Sequence, residues 1–227
     1  MMGLLKHIPN LLTLGNLTAG VIGIMFAFQY PPKTAAYLVW IACLFDFLDG
    51  FTARQLKVSS PIGKQLDSLA DVVSFGVLPS LVLFNLIDSV SSNQWLPYVA
   101  ILIAAFSALR LAKFNIDENQ HDTFIGLPTP ANALFITSLV FLHEPFFFVT
   151  SSDVLLSIIA IIFSLLLVAP LPMFAMKFKD FTWKSNKVRF TFLVVSVLAL
   201  VAWQAASISL IILLYVLVSL VGKQMSA

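Results

Sequence analysis

Residues 46–71 read DFLDGFTARQLKVSSPIGKQLDSLAD, and they place four aspartates close together in a chain that is otherwise strongly apolar. Asp46 and Asp49 are three residues apart, and Asp67 and Asp71 are four residues apart. On an α-helix either spacing brings both side chains to one face. The stretch therefore predicts two helices, each of which presents a pair of carboxylates.

The residues between the two pairs predict how these helices are arranged. Ser60 and Pro61 are typical of a helix start, because a serine hydroxyl caps free N–H groups and proline is tolerated in the first turn. The eight residues 55–62 are short enough to make the two helices antiparallel neighbours. We therefore expect the two aspartate pairs to face each other near one end of the helices.

The composition places these helices in a membrane. Hydrophobic residues make up 59% of the 227 residues, charged residues make up 11%, and mean hydropathy is +0.97. Apolar runs near the length needed to cross a bilayer recur along the whole chain. We predict an all-α polytopic membrane protein in which residues 1–227 form a single membrane-embedded domain. The eight expected helices span residues 8–28, 34–56, 61–87, 95–115, 128–148, 154–176, 188–203 and 206–222.

The basic residues predict the orientation of the chain. If both termini are cytoplasmic, twelve of the 13 lysines and arginines fall in cytoplasmic segments and only Lys33 falls outside. Such an excess is the usual mark of the cytoplasmic side. It favours an even number of spans and a cytoplasmic position for residues 50–64, beside the aspartates. Pro79 falls inside a predicted span, where it predicts a kink.

Four carboxylates inside a membrane need compensation. Without it they would cost on the order of 10 kcal/mol, at roughly 2.5 to 3.5 kcal/mol each. Arg54 and Lys64 can neutralise part of the charge, but ligands that are all oxygen suit hard divalent cations such as Mg²⁺ or Mn²⁺ better. Two alternatives remain at this point: ion pairs that only satisfy one another, and a cation relay in a transporter.

The first predicted helix carries a polar stripe of its own. Asn10, Thr13 and Asn16 recur every three residues, so they share one helix face. They either line the same cavity as the aspartates or form hydrogen bonds between helices. The spacing does not decide between these roles.

The pattern D-xx-DG-xx-AR-x8-G-xxx-D-xxx-D over residues 46–71 resembles the signature of the CDP-alcohol phosphatidyltransferases at every position. The resemblance implies a six-helix family core, here with two further helices, that transfers a phosphatidyl group from CDP-diacylglycerol to an alcohol with release of CMP. It also implies two divalent ions, Mg²⁺ or Mn²⁺, and direct displacement at phosphorus. No nucleic-acid partner is expected, and the resemblance leads us to expect a homodimer.

The same resemblance assigns roles residue by residue. Metal ligation falls to the four aspartates, and Asp71 is in addition the general base. Binding of the CDP group falls to Asp46, Gly50, Ala53, Arg54 and Gly63. Small residues at these positions let a bulky ligand approach the backbone.

Further segments narrow the resemblance to the integral-membrane phosphatidylserine synthases. They are IPNLLTLGNLTAG from residue 8, DSLADVVSFGVLPS from residue 67, LRLAKFN at 109–115 and GLPTPA at 126–131. Serine is therefore the expected acceptor, with glycerol 3-phosphate or an inositol compound as the alternative. Arg110 and Lys113, three residues apart, are candidates for binding a substrate carboxylate or phosphate, although both positions also suit lipid-facing anchors.

Overall fold

The computed structural model describes residues 7–58, 60–116, 124–173 and 182–225, and it shows a helical bundle with one two-stranded sheet among these residues. Five helical segments are long and apolar enough to cross a membrane. The elements are α1 (Ile8–Gln29), α2 (Pro32–Leu56), α3 (Pro61–Val90), α4 (Leu96–Ile116), β1 (Phe124–Ile125), α5 (Thr129–Phe141), α6 (Phe147–Thr150), α7 (Asp153–Val168), β2 (Pro172–Met173), α8 (Trp183–Trp203) and α9 (Ser207–Met225). The prediction of an all-α polytopic membrane protein is confirmed.

Two predicted helices are shorter than expected. The helix expected over 128–148 ends at Phe141, after a closing 3₁₀ turn, and Leu142 is extended. The helix expected over 154–176 ends at Val168, because Pro170 disfavours helical geometry at Ala169, whose ψ is 140°. Pro172 and Met173 then form β2, which pairs with β1. The remainder of that predicted helix, residues 174–176, lies outside the described residues.

Helix α3 contains the irregularity that Pro79 predicts, but the irregularity precedes the proline. Val72–Val77 form a π-helical turn directly after Asp71, in which the N–H of Leu78 donates to the carbonyl of Val73. Pro79 follows this turn closely, and it has no N–H with which to donate a regular α-helical hydrogen bond. Turns of this kind are frequent at functional sites.

The C-terminal apolar region forms two helices. Helix α8 ends at Trp203, and Gln204 adopts a positive φ of 47° that breaks the helix before α9 begins. The rings of Phe192 and Tyr215 are 6.2 Å apart, so the two helices fold back on each other. The prediction of two separate helices here is confirmed.

The bundle has two apolar cores. One lies among α1, α2, α3 and α5, and the other lies among α3, α4, α5, α7 and α9. At the end of the bundle that carries the α2–α3 turn, the Nζ of Lys64 donates to the carbonyl of Asn115 over 3.1 Å, and Asn115 also bonds Ser68. These contacts fasten the end of α4 to the start of α3, beside the aspartates.

Candidate metal and nucleotide site

The turn between α2 and α3 is built by local backbone chemistry. Helix α2 ends where Lys57 adopts a left-handed φ of 52°, and the Lys57 N–H bonds the carbonyls of Ala53 and Arg54. Helix α3 begins with Ser60, whose hydroxyl accepts from the N–H of Gly63 over 3.0 Å. This is the serine cap that the sequence predicts. The turn leaves the two helices as neighbours with their aspartates on facing sides.

Three of the four aspartates converge. Asp46, Asp49 and Asp67 each offer a carboxylate oxygen, and these oxygens all lie within 4.8 Å of one another. Asp49 is buried, whereas Asp46 and Asp67 are partly buried. The predicted convergence is therefore present for both aspartates of α2 and for Asp67 of the α3 pair.

Asp71 lies one helical turn farther along α3 and is 7% exposed. Its Oδ1 accepts a hydrogen bond of 3.1 Å from the Nδ2 of Asn16 on α1. It is absent from the converging group among the described residues. Asp71 is thus next to the other carboxylates but is held by a different neighbour.

The converging oxygens fit a hard divalent cation. The Oδ1 of Asp67 is buried and has no hydrogen-bond partner in the described part of the chain. A buried carboxylate oxygen without a partner is costly, and a cation removes that cost. Oxygen ligands from carboxylates are those that Mg²⁺ and Mn²⁺ prefer.

A cavity of about 740 Å³ opens beside the aspartates. Asp49 and Asp67 line it, together with the three small residues expected near the nucleotide, Gly50, Ala53 and Gly63. A Cβ placed on Gly50 would meet only Arg54, at 3.7 Å, so the backbone there is open to a ligand. The cavity is large enough for a nucleotide, and the carboxylates of Asp49 and Asp67 form part of its wall.

Not every residue expected to bind CDP lines this cavity, and Arg54 is one exception. Its side chain is exposed, and among the described residues it is not part of the cavity wall. Asp46 and Asp71 are likewise outside this wall. In the described part of the chain, the basic residues that line the cavity are His7, Lys57 and Lys64.

Arg110 and Lys113 lie at the end of α4 and share a small cleft with the ends of β1 and α7. Arg110 is only 9% exposed, and its Nε has no hydrogen-bond partner among the described residues. The guanidinium is close enough to Asp71 and Tyr215 for electrostatic interaction. Lys113, by contrast, is exposed.

The sequence does not decide the role of the polar stripe of α1, and in the structure the stripe has both proposed roles. Asn10 and Thr13 line the cavity, while Thr13 and Asn16 bond carboxylates on the neighbouring helices. The contributions of His7 and Lys57 to the cavity wall were not predicted. His7 directly precedes α1 and Lys57 directly follows α2, and no sequence motif relates the two.

Comparison with known proteins agrees with this geometry. Residues 6–169 match the CDP-alcohol phosphatidyltransferase family. The chain is similar to the CDP-diacylglycerol--serine O-phosphatidyltransferase of Bacillus subtilis, at 34% identity over 62% of this chain and 79% of the relative. It is similar to the proteins of the same name from Methanocaldococcus jannaschii, at 35% identity over 71% of each chain, and Mycobacterium tuberculosis, at 37% identity.

The match with the Mycobacterium tuberculosis protein covers 63% of this chain and about half, 51%, of that relative. The family match spans α1 to α7 and contains the aspartates, the glycine-lined cavity and Arg110. Membership in a family of transferases argues against the two other interpretations of the aspartates, a cation relay and purely structural ion pairs. The chain therefore belongs to the CDP-alcohol phosphatidyltransferase family.

Proposed function

We propose that this protein transfers the phosphatidyl group of CDP-diacylglycerol to the hydroxyl of L-serine, giving phosphatidylserine and CMP. The observation that carries the proposal is the convergence of three carboxylate oxygens within 4.8 Å beside a glycine-lined cavity of about 740 Å³. The names of the similar proteins from Bacillus subtilis and Methanocaldococcus jannaschii favour serine as the acceptor.

The donor is bound at the mouth of the site. Gly50, Ala53 and Gly63 let the CDP group approach the helix backbones, and Lys57 and Lys64 lie on the same wall to attract its phosphates. We assign Asp46, Asp49, Asp67 and Asp71 to two divalent ions, Mg²⁺ or Mn²⁺. When bound, such ions neutralise the charge of the pyrophosphate and of the CMP leaving group.

Asp71 is the residue that we assign to proton transfer. The serine hydroxyl oxygen forms a bond to the lipid-linked phosphorus while the bond from that phosphorus to the CMP oxygen breaks. The hydroxyl proton passes to a carboxylate oxygen of Asp71. Asn16 donates to Oδ1 of this carboxylate, which leaves Oδ2 to receive the proton.

Arg110 is our candidate for binding the serine carboxylate. It is buried, its Nε lacks a partner in the described residues, and Asp71 is within electrostatic range. A guanidinium binds a carboxylate through two parallel hydrogen bonds, and desolvation strengthens such contacts. Lys113 is exposed at the rim of the same cleft, where we expect it to attract an anionic substrate group without orienting it.

The test is a reaction of purified protein with CDP-diacylglycerol, Mn²⁺ or Mg²⁺ and one alcohol at a time. We expect CMP release and phosphatidylserine with serine. Product from glycerol 3-phosphate or inositol, but not from serine, would refute the acceptor while retaining the family chemistry. Asp71→Asn protein, incubated in parallel, controls for a contaminating transferase.

The side of the membrane that the site faces is also part of the proposal. A donor that carries cytidine and an acceptor such as serine both require access from the cytoplasm. In a Cys43→Ala background, a cysteine at Lys57 should resist an impermeant thiol reagent in sealed cells, and a cysteine at Asn93 should react. The opposite pattern would contradict the cytoplasmic site. The termini, including Lys6, lie outside the described residues.

The homodimer expected from the family resemblance stays a prediction. The mass of the detergent-solubilised protein, corrected for bound detergent, checks it directly. A monomer that releases CMP at the full rate would contradict the expectation.

A further inference from the structure

Helix α1 contacts both pairs of aspartates through two side chains that lie one turn apart. The Oγ1 of Thr13 donates to the Oδ2 of Asp49 on α2 over 2.6 Å. The Nδ2 of Asn16 donates to the Oδ1 of Asp71 on α3 over 3.1 Å. One face of α1 therefore bonds one carboxylate from each of the two helices that carry the aspartates.

These bonds lie in the interior of the protein. Thr13 is 4% exposed and Asn16 is fully buried. The orientation of the Asn16 amide follows from chemistry, because an ionised carboxylate only accepts hydrogen bonds and so must face the NH₂ group. The Thr13 hydroxyl is also 3.0 Å from the carbonyl of Pro9, but the carboxylate is the nearer and stronger acceptor.

The position of α1 against α3 is itself held in place. The hydroxyl of Ser74, in the π-helical turn, donates to the carbonyl of Asn16 over 3.0 Å. A Cβ on Gly20 would collide with the Ser74 side chain, so the two helices touch here without space for a larger residue. These contacts hold the backbone of α1 at Asn16 against α3, beside Asp71.

The four carboxylates thus fall into two classes. Asp49 and Asp71 each receive a hydrogen bond from α1, whereas no side-chain hydrogen bond to Asp46 or Asp67 occurs in the described residues. Hydrogen bonds of this kind orient carboxylates for binding a cation, and carboxylates of both classes remain able to bind one. Each helix contributes one carboxylate to each class.

We propose that Thr13 and Asn16 are positioning residues that hold Asp49 and Asp71 in the geometry for binding a divalent cation and substrate. Neither residue belongs to the aspartate pattern of residues 46–71. The inference rests on the proposed function only in that the aspartates bind a divalent cation. It does not depend on which alcohol is the acceptor.

The test measures Mn²⁺ binding to the full-length protein in detergent by calorimetry, without either substrate. Thr13→Val keeps the side-chain shape but removes the donor, and we expect about tenfold to 100-fold weaker Mn²⁺ binding. Thr13→Ser should restore affinity to within about threefold, because it returns the hydroxyl. The control is Thr18→Val on the same helix, since Thr18 is exposed and bonds the carbonyl of Leu14.

Asn16 is tested by a second measurement, because it holds the proposed base. Asn16→Leu should lower kcat at saturating Mn²⁺ by about tenfold or more while changing the KM for CDP-diacylglycerol less. A thermal unfolding midpoint close to that of the unaltered protein, without metal, confirms that each variant is folded.

The outcomes separate the two ideas. If the unaltered protein and a folded Thr13→Val variant bind Mn²⁺ with equal affinity, the positioning role is wrong and the proposed function still stands. Unaltered protein that binds no Mn²⁺ would overturn the metal site itself. The inference is supported if Thr13→Val binds Mn²⁺ weakly, Thr13→Ser regains the affinity, and Thr18→Val binds Mn²⁺ as the unaltered protein does.

Discussion

The helices α1 to α3 and the hairpin of α8 and α9 are both strongly apolar, but they use polar side chains differently. In the first group Thr13 and Asn16 bond carboxylates on other helices. In the hairpin, Ser207 and Ser209 bond carbonyls three residues back.

The difference teaches how to read polar residues in an apolar chain. A hydroxyl that bonds the backbone of its own helix satisfies itself and needs no partner helix. A side chain that bonds across helices fixes the position of another group, here a carboxylate. The family match agrees with this division, because it covers residues 6–169 and ends before the hairpin.

Among the substitutions that test this contrast between α1 to α3 and the hairpin, the largest effect is expected at Asp71. Asp71→Asn should reduce turnover by about 1,000-fold or more, because an amide cannot take the hydroxyl proton. CDP-diacylglycerol should still bind in the presence of Mn²⁺. Single-turnover CMP release and equilibrium donor binding, measured on the same preparation, check both parts, and near-normal turnover would remove Asp71 from the mechanism.

Asp46→Ala should act on binding instead of proton transfer. Removal of one carboxylate from the converging group reduces the ligand charge, so we expect roughly 100-fold weaker Mn²⁺-dependent donor binding. Titration of Mn²⁺ against donor binding measures the loss. The control is Asp88→Ala near the far end of α3; an equal loss there would show a general effect of charge.

Gly50→Ala tests whether the open cavity wall serves the donor. The added Cβ meets only Arg54 at 3.7 Å, and alanine favours a helix over glycine by up to about 1 kcal/mol. The variant should therefore be at least as stable as the original protein while the KM for CDP-diacylglycerol rises about tenfold. An unchanged KM would place the nucleotide away from Gly50.

Arg110→Lys separates recognition of the acceptor from recognition of the donor. A lysine retains the charge but cannot form two parallel hydrogen bonds, so the KM for serine should rise about tenfold and that for CDP-diacylglycerol should change little. Equal changes in both KM values would assign Arg110 to the lipid phosphate or to folding. Lys113→Arg is the matched control at the exposed position of the same helix end.

The smallest effect is expected in the hairpin. Tyr215, on α9, is a hairpin residue within electrostatic range of Arg110, and Tyr215→Phe should raise the KM for serine by no more than about threefold. Leu198→Ala, at a position 63% exposed, should leave both KM values unchanged. Loss of activity in Tyr215→Phe would break the comparison, because the hairpin would then belong to the reacting site.

Much of the fold follows from the sequence because a bilayer permits few backbone structures. An apolar run of spanning length must form a helix to satisfy its backbone, and all eight predicted helices begin within five residues of the observed start. The hairpin breaks at Gln204, between its two predicted helices. The predicted helix ends at residues 148 and 176 were wrong, because the helices end at Phe141 and Val168. Leu142 is extended directly after the first of these helices, and after the second the chain forms β2, which pairs with β1.

The sequence by itself determined the chemistry of the site. The spacing of Asp46, Asp49, Asp67 and Asp71, with Ser60 and Pro61 between the pairs, is enough to bring two carboxylate pairs face to face, because helix periodicity acts over a few residues. The resemblance of the same stretch to the family signature identified Gly50 and Gly63, which line the cavity.

Tertiary structure alone decided which carboxylates converge and which are held by α1. Thr13 is 36 residues from Asp49, and Asn16 is 55 residues from Asp71, so no local periodicity relates them. The side-chain position of Arg54 outside the cavity wall and the burial of Arg110 were decided in the same way. Such contacts depend on how helices rotate and pack against each other, which is set by the whole apolar surface of the bundle and not by any one segment.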